Sequence, residues 1–276
     1  MSSPTEITVP QLARLIGTPD APVIVDVCID EDFEAHSSFV PGSIRHPFDD
    51  IAAIAPQLRG KRVVIVCHKG LKLSQGAAAV LRHHGIRAES LEGGIVGWRE
   101  AGMPEVPADK IPDRNAEGQS VWVTRHRPKI DRIACPWLIR RFVDPNAQFL
   151  FVSPAQVLNV AEKFDATPFD IEDVFWSHRN EKCTFDTMVE EFALDIAPLK
   201  KLATIVRGAD TNRHDLAPEC AGLMAASLGL SRMYRDDLAQ LEAGMGLYDA
   251  FYRWARDAQD EGHDWPAALT KTPEKG

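Results

Sequence analysis

Along residues 1–104 the apolar positions switch repeatedly between two periods. Val63-Val64-Ile65-Val66 is an unbroken β-branched run, the pattern of a strand covered on both faces. Val23–Val27 repeats it upstream, and shorter strands are predicted at Ser43–His46, after the Pro41-Gly42 turn, and at Arg87–Leu91. Helical spacing fills the gaps: Leu12, Leu15 and Ile16 before Gly17, an acidic turn from Asp30 to Glu34, and a helix from Asp49 or Asp50 to Leu58. Two more helices are predicted over 74–84, with Ser74 as N-cap, and from Gly94 to Ala101. Strands alternating with helices imply an α/β domain with a mainly parallel sheet, which binds ligands at the carboxyl edge of its strands.

From Met103 to Ser120 the periodicity stops, and three prolines and one glycine break the chain. Residues 105–120 therefore read as a linker between a domain over 1–104 and another over 121–260. The second domain is predicted to be a mainly helical α+β unit. Its strands are Val121–Thr124 and Gln148–Val152, followed by a helix from Ser153-Pro154 to about Phe164 and further helices over 196–206, 217–228 and 235–256. The last of these carries Leu241, Met245, Tyr248, Phe251 and Tyr252 on one face, which reads as core or as the contact of a homodimer. Residues 261–276, with Pro266 and Pro273, read as a flexible tail.

Composition narrows the function classes. A net charge of −9 argues against a nucleic-acid partner. No apolar run approaches membrane-spanning length, so no membrane partner is expected. Five cysteines, an odd number without short paired spacing, fit a reducing compartment and a cytoplasmic location.

Cys67 ends the Val63–Val66 run and opens a short loop containing Lys69, Gly70 and Lys72 before an Ala-rich helix. A strand–loop–helix of this kind turns its loop amides toward a ligand beside the positive end of a helix dipole, and these groups with the lysines favour thiolate over thiol. A buried, inert thiol is the ordinary alternative. Asp26 ends a neighbouring strand and reads as a local hydrogen-bond acceptor or an acid of the site. Cys28 reads as core.

The run Cys67-x-x-Gly70-x-Lys72 resembles the active-site loop of rhodanese-type sulfurtransferases. Its flanks agree: Val23-Ile24-Val25-Asp26-Val27, Phe33, Phe39-Val40-Pro41-Gly42-Ser43-Ile44 and Pro47 upstream, and Leu91-Glu92-Gly93-Gly94-Ile95-Val96-Gly97-Trp98 downstream. The resemblance covers about residues 8–104. It implies a rhodanese-like fold, Cys67 as catalytic nucleophile, and a substrate cradle of His68, Lys69, Gly70, Leu71, Lys72 and Leu73 with Asp26. A thiosulfate sulfurtransferase-like enzyme would then take a sulfane-sulfur donor and a thiol or cyanide acceptor, with no cofactor required. That loop often carries Arg where this chain has Lys72, and lysine keeps the charge without the bidentate fork.

The second domain offers two further candidates. Between 125 and 141 there are six Lys or Arg against one Asp, and Arg125, Lys129 and Arg132 read as an anion site or a solvated basic face. His178, Cys183 and Asp210 could converge on a transition metal, the one cofactor the residues themselves suggest. Trp122-Val123-Thr124-Arg125, Pro128 through Phe142, Cys183-Thr184-Phe185-Asp186, Ile205 through Asp210 and Leu247 through Tyr252 resemble the chromate-resistance domain family, which implies chromate as a partner. The alternative to a sulfurtransferase is a non-catalytic chromate or redox sensor.

Overall fold

A computed structural model describes residues 5–262. The β-branched runs form β2 (Val23–Asp26) and β5 (Arg62–Val66), neighbours in a five-stranded sheet of order β1-β6-β5-β2-β4. The other strands are β1 (Glu6–Ile7), β4 (Ser43–Arg45) and β6 (Arg87–Leu91), and every pairing is parallel. Val63 through Val66 are fully buried, as an unbroken apolar run requires. Helices α1 (Val9–Leu15), α2 (Asp30–Glu34), α3 (Lys72–His83) and α4 (Gly94–Glu100) alternate with these strands.

Two predicted helices differ in detail. The segment Phe48–Leu58 is a 3-10 helix containing Pro56, whose missing N–H disfavours continued α-helical bonding. Ser74 is not the cap of α3: the helix starts at Lys72, and the cap position, Leu71, makes no side-chain bond. Ser74 is buried inside the first turn.

The stretch read as a linker is packed at its start. Between β2 and β4 lies β3 (Ser38–Phe39), and β7 (Val106–Pro107) pairs with it antiparallel. Glu105 anchors this strap, accepting from Arg99 Nε at 3.0 Å and from Ser38 Oγ at 2.8 Å. Farther on, Lys110 Nζ reaches Glu191 of the second domain at 2.8 Å. Composition could not show this, because individual ion pairs carry no periodicity. Burial by itself would raise the Glu105 pKa, but Arg99, Ser38 and His36 together hold it below the ordinary glutamate value of 4.5. A depressed carboxylate pKa adds stability above the unfolded value and loses it as pH falls through the folded one. Glu105→Gln should therefore cost about 1–2 kcal/mol at neutral pH, a deficit that shrinks as pH falls below 4.5. Thermal melts of both chains across that range check this; a constant deficit at all pH would refute it.

In the second domain β8 (Val121–Arg125), β9 (Gln148–Val152) and β10 (Thr167–Pro168) form a parallel sheet of order β10-β8-β9, with α6 (Val157–Phe164) connecting β9 to β10. Helices α5 (Asp131–Leu138), α7 (Thr184–Glu191), α8 (Ala197–Asp210), α9 (Cys220–Met233) and α10 (Asp237–Asp257) complete it. A π turn over Ile139–Val143 extends α5. Buried Trp137 packs on Phe142, Phe185, Tyr248 and Tyr252, and its indole N–H donates to Asp249 at 2.8 Å. The Arg141 fork closes on the same carboxylate at 2.8 Å through both nitrogens, locking the π turn to α10. The apolar face of α10 is thus largely core.

The two halves share one continuous core. At Gly17 (φ +79°) an added Cβ would stand 2.3 Å from the Phe142 ring, so only glycine lets the halves approach this closely. Gly42 N–H donates to Phe142 O at 2.7 Å across the same boundary. The tail predicted over 261–276 lies, from residue 263 on, outside the described residues.

Candidate functional sites

Cys67 sits one residue beyond β5, and the loop to α3 is held from behind by the Gly93-Gly94 turn. Ile95 N–H donates to Cys67 O and Val96 N–H to His68 O, each at 3.0 Å. Gly70 (φ +69°) lies so close to this turn that a Cβ would fall 2.5 Å from Gly94 N and Leu91 O. The loop carbonyls are thus engaged from behind. Among the described residues, no backbone N–H from His68 to Leu71 donates to another protein group.

Asp32, Cys67, His68, Lys69, Leu71, Lys72 and Leu73 line a cavity of about 520 Å³. The thiol lies at its floor, 4% exposed, and contacts Ser74 Oγ at 3.2 Å. Ser74 Oγ–H in turn donates to Leu71 O at 3.3 Å. Lys69 and Lys72 are exposed at the rim. Of the residues expected in the cradle, Gly70 is buried as a spacer and does not line the cavity. Asp26 does not line it either: its Oδ1 accepts from Cys28 N–H at 2.8 Å, and burial raises its pKa. Asp32, from α2, takes the acidic place instead. Cys28 is buried, and its thiol is pushed upward by burial and by Asp26, so it is poorly disposed to act as a resolving thiolate.

The second cluster lies at the carboxyl edge of the three-stranded sheet. Arg125 ends β8, Asp170 follows β10, and Asp131 is the first residue of α5. His178 comes from the loop before α7, and Asp210 is the last residue of α8. His178 Nε2 stands 3.4 Å from one carboxylate oxygen each of Asp131, Asp170 and Asp210. The Asp131, Asp170 and Asp210 carboxylates facing its ring push the His178 pKa up to about 12. Burial pushes Asp131 up to about 7, whereas His178, Arg132, Arg125 and Thr184 overcome burial at Asp170 and hold it below the usual range.

Two expectations need correction here. Cys183 is not part of the cluster: its buried thiol faces the first turn of α7, its N–H donates to Asp186 at 3.1 Å, and burial raises its pKa well above normal. Its place is taken by Asp131 and Asp170, which the sequence reading missed. The signal for Asp131 was present, as the lone acid within a basic run. Asp170 had none, because its neighbours are brought in by β-sheet pairing. The basic run is also not an open anion site. Arg125 and Arg132 both bind Asp170 Oδ2, at 3.1 and 3.2 Å, while Lys129 is exposed.

Comparison with known proteins follows the same division. Residues 8–101 match the model of the rhodanese-like domain, and residues 122–255 match that of the ChrB C-terminal domain. Protein ChrB of Cupriavidus metallidurans is 30% identical over 155 residues, which are 55% of this chain and 46% of that protein. The chain thus spans less than half the length of this relative. Among solved structures, a rhodanese-like domain protein from Staphylococcus aureus is 30% identical, covering 34% of this chain and 90% of that one, with a TM-score of 0.30. A rhodanese-related protein from Thermoplasma volcanium is 27% identical, covering 37% and 96%, with a TM-score of 0.32.

Proposed function

We propose that this chain, whose residues 8–101 are a rhodanese-like domain and residues 122–255 a ChrB C-terminal domain of a chromate-resistance family, is a sulfurtransferase that carries sulfur on Cys67. One observation carries the reading: a buried thiol at the floor of a cavity lined by His68, Lys69 and Leu71, whose backbone N–H groups have no protein acceptor among the described residues. Such amides, fixed by the Gly93-Gly94 turn, suit an anion that forms on sulfur during reaction. Asp26 is left with a structural role at the end of β2.

The Cys67 thiolate attacks the outer sulfur of thiosulfate. The S–S bond of the donor breaks, sulfite leaves with the electron pair, and Cys67 keeps a persulfide anion. Cyanide or a thiolate then attacks the terminal sulfur, giving thiocyanate or a new persulfide and restoring the Cys67 thiolate. Ser74 Oγ, at 3.2 Å, can turn its proton to the sulfur once the thiol ionises. Lys69 and Lys72 draw the dianionic donor toward the cavity. Because Lys72 is exposed, Lys72→Ala should raise the thiosulfate KM by no more than about fivefold, the effect of about 1 kcal/mol, and less at high salt. Steady-state kinetics at two ionic strengths check it.

The direct test is the intact mass of the wild-type chain after thiosulfate alone. A gain of about 32 Da, one sulfur, that disappears on adding cyanide is the expected result. An unmodified thiol and no thiocyanate from a folded protein would end this reading. Chromate enters as a proposed partner through the family of the second domain.

A further inference from the structure

We propose that Asp131, Asp170, His178 and Asp210 bind one divalent first-row transition-metal ion, in a site separate from the Cys67 cavity. The geometry around His178 suits a shared cation. Its Nε2 faces three carboxylate oxygens, each at 3.4 Å. A ring nitrogen carries one proton and donates one bond, and 3.4 Å is longer than a good N–H···O bond. The spacing is instead that of ligands around an ion. With metal–nitrogen and metal–oxygen bonds of about 2.1 Å, two donors on one ion can stand about 3.4 Å apart, the separation of His178 Nε2 from each carboxylate. Donor atoms of Asp131, Asp170 and His178 all lie within 4.8 Å of one another, and Asp210 joins this trio through His178 at 3.4 Å.

Independent observations point the same way. Asp131 is 1% exposed, yet its Oδ1 has no hydrogen-bond partner among the described residues. Leaving a buried carboxylate oxygen unpaired is costly unless a cation meets it. Asp210 ends α8, where the helix dipole is negative and a further negative charge is unfavourable without a positive neighbour.

The surroundings resemble a second layer that orients ligands. Thr184 N–H donates to Asp131 Oδ2 at 2.6 Å, and its hydroxyl donates to Asp170 Oδ1 at 3.0 Å. Arg125 and Arg132 hold the other oxygen of Asp170. With His178 neutral, as a metal ligand must be, two arginines face three carboxylates and leave a net negative charge for a cation to offset, the ion displacing the imidazolium proton. The donor set of oxygens and one imidazole, without thiolate, favours Zn²⁺, Mn²⁺ or Fe²⁺ over soft ions such as Cu(I). His178 is 41% exposed, so the ion can enter from solvent.

The test uses the untagged full chain, stripped with a chelator and titrated by calorimetry with Zn²⁺ and, separately, with Mn²⁺. One equivalent of at least one ion should bind to the wild type and raise its Tm. His178→Ala and Asp210→Asn, at partly exposed positions, should bind that ion at least about 100-fold more weakly while keeping the wild-type circular dichroism spectrum. Cys183→Ser should bind it unchanged. Failure of both ions to bind at one equivalent, or binding by His178→Ala as tight as wild type, would overturn the site. Cys67→Ser should also keep the metal, so this result stands or falls apart from sulfur transfer.

Discussion

Cys67→Ser is expected to slow thiosulfate-to-cyanide sulfur transfer by at least about a thousandfold, the scale on which losing a covalent nucleophile acts. Serine nearly matches cysteine in size and keeps a polar atom beside Ser74 Oγ, 3.2 Å from the native sulfur. The fold should be undisturbed, with a Tm within a few degrees of wild type. The loss would then belong to the chemistry: an alcohol does not ionise near neutral pH and cannot form a persulfide. Steady-state rates at saturating thiosulfate, with intact mass after donor alone, measure it. Activity within tenfold of wild type would mean that sulfur passes through some other group.

Gly94→Ala tests the cradle instead of the nucleophile, and should be the more damaging change to stability. Gly94 adopts φ +60°, and an added Cβ would lie 2.2 Å from Cys67 O, 2.3 Å from Gly70 N and 2.8 Å from His68 O. All three are backbone atoms of the Cys67 loop. None can retreat without breaking the bonds from Ile95 and Val96 that hold it. The expected cost is about 3 kcal/mol or more, a fall in Tm of about 6–12 °C, together with most of the sulfur-transfer activity. Gly76→Ala is the matched control. It lies within α3, where a Cβ meets nothing within 4 Å, and should stabilise by about 0.5–1 kcal/mol. If Gly94→Ala were as stable and active as Gly76→Ala, the tight docking of the two loops would be unnecessary.

The Cys67 loop was legible in the chain because its parts are contiguous. Strand, thiol, glycine, lysines and helix follow one another from Val63 to Leu81, and local order alone places Cys67 at a strand's carboxyl end. The parallel sheet was legible for the same reason, since β-branched runs alternate with helical spacing. Beyond this, long-range packing decided the details. Ser74 turned from a cap into a partner of the thiol, Asp32 replaced Asp26 at the cavity, and Glu105 tied down a strap that looked like a linker. The acidic cluster depended most on tertiary structure. His178 and Asp210 could be singled out as metal-binding residue types, but Cys183 in the same reading faces its own helix. Asp131 and Asp170, 39 residues apart by their numbering, meet His178 only because β8 and β10 pair and α7 docks against their carboxyl edge. Residue type and spacing show which groups are able to bind an ion; only the packed fold decides which of them face one another.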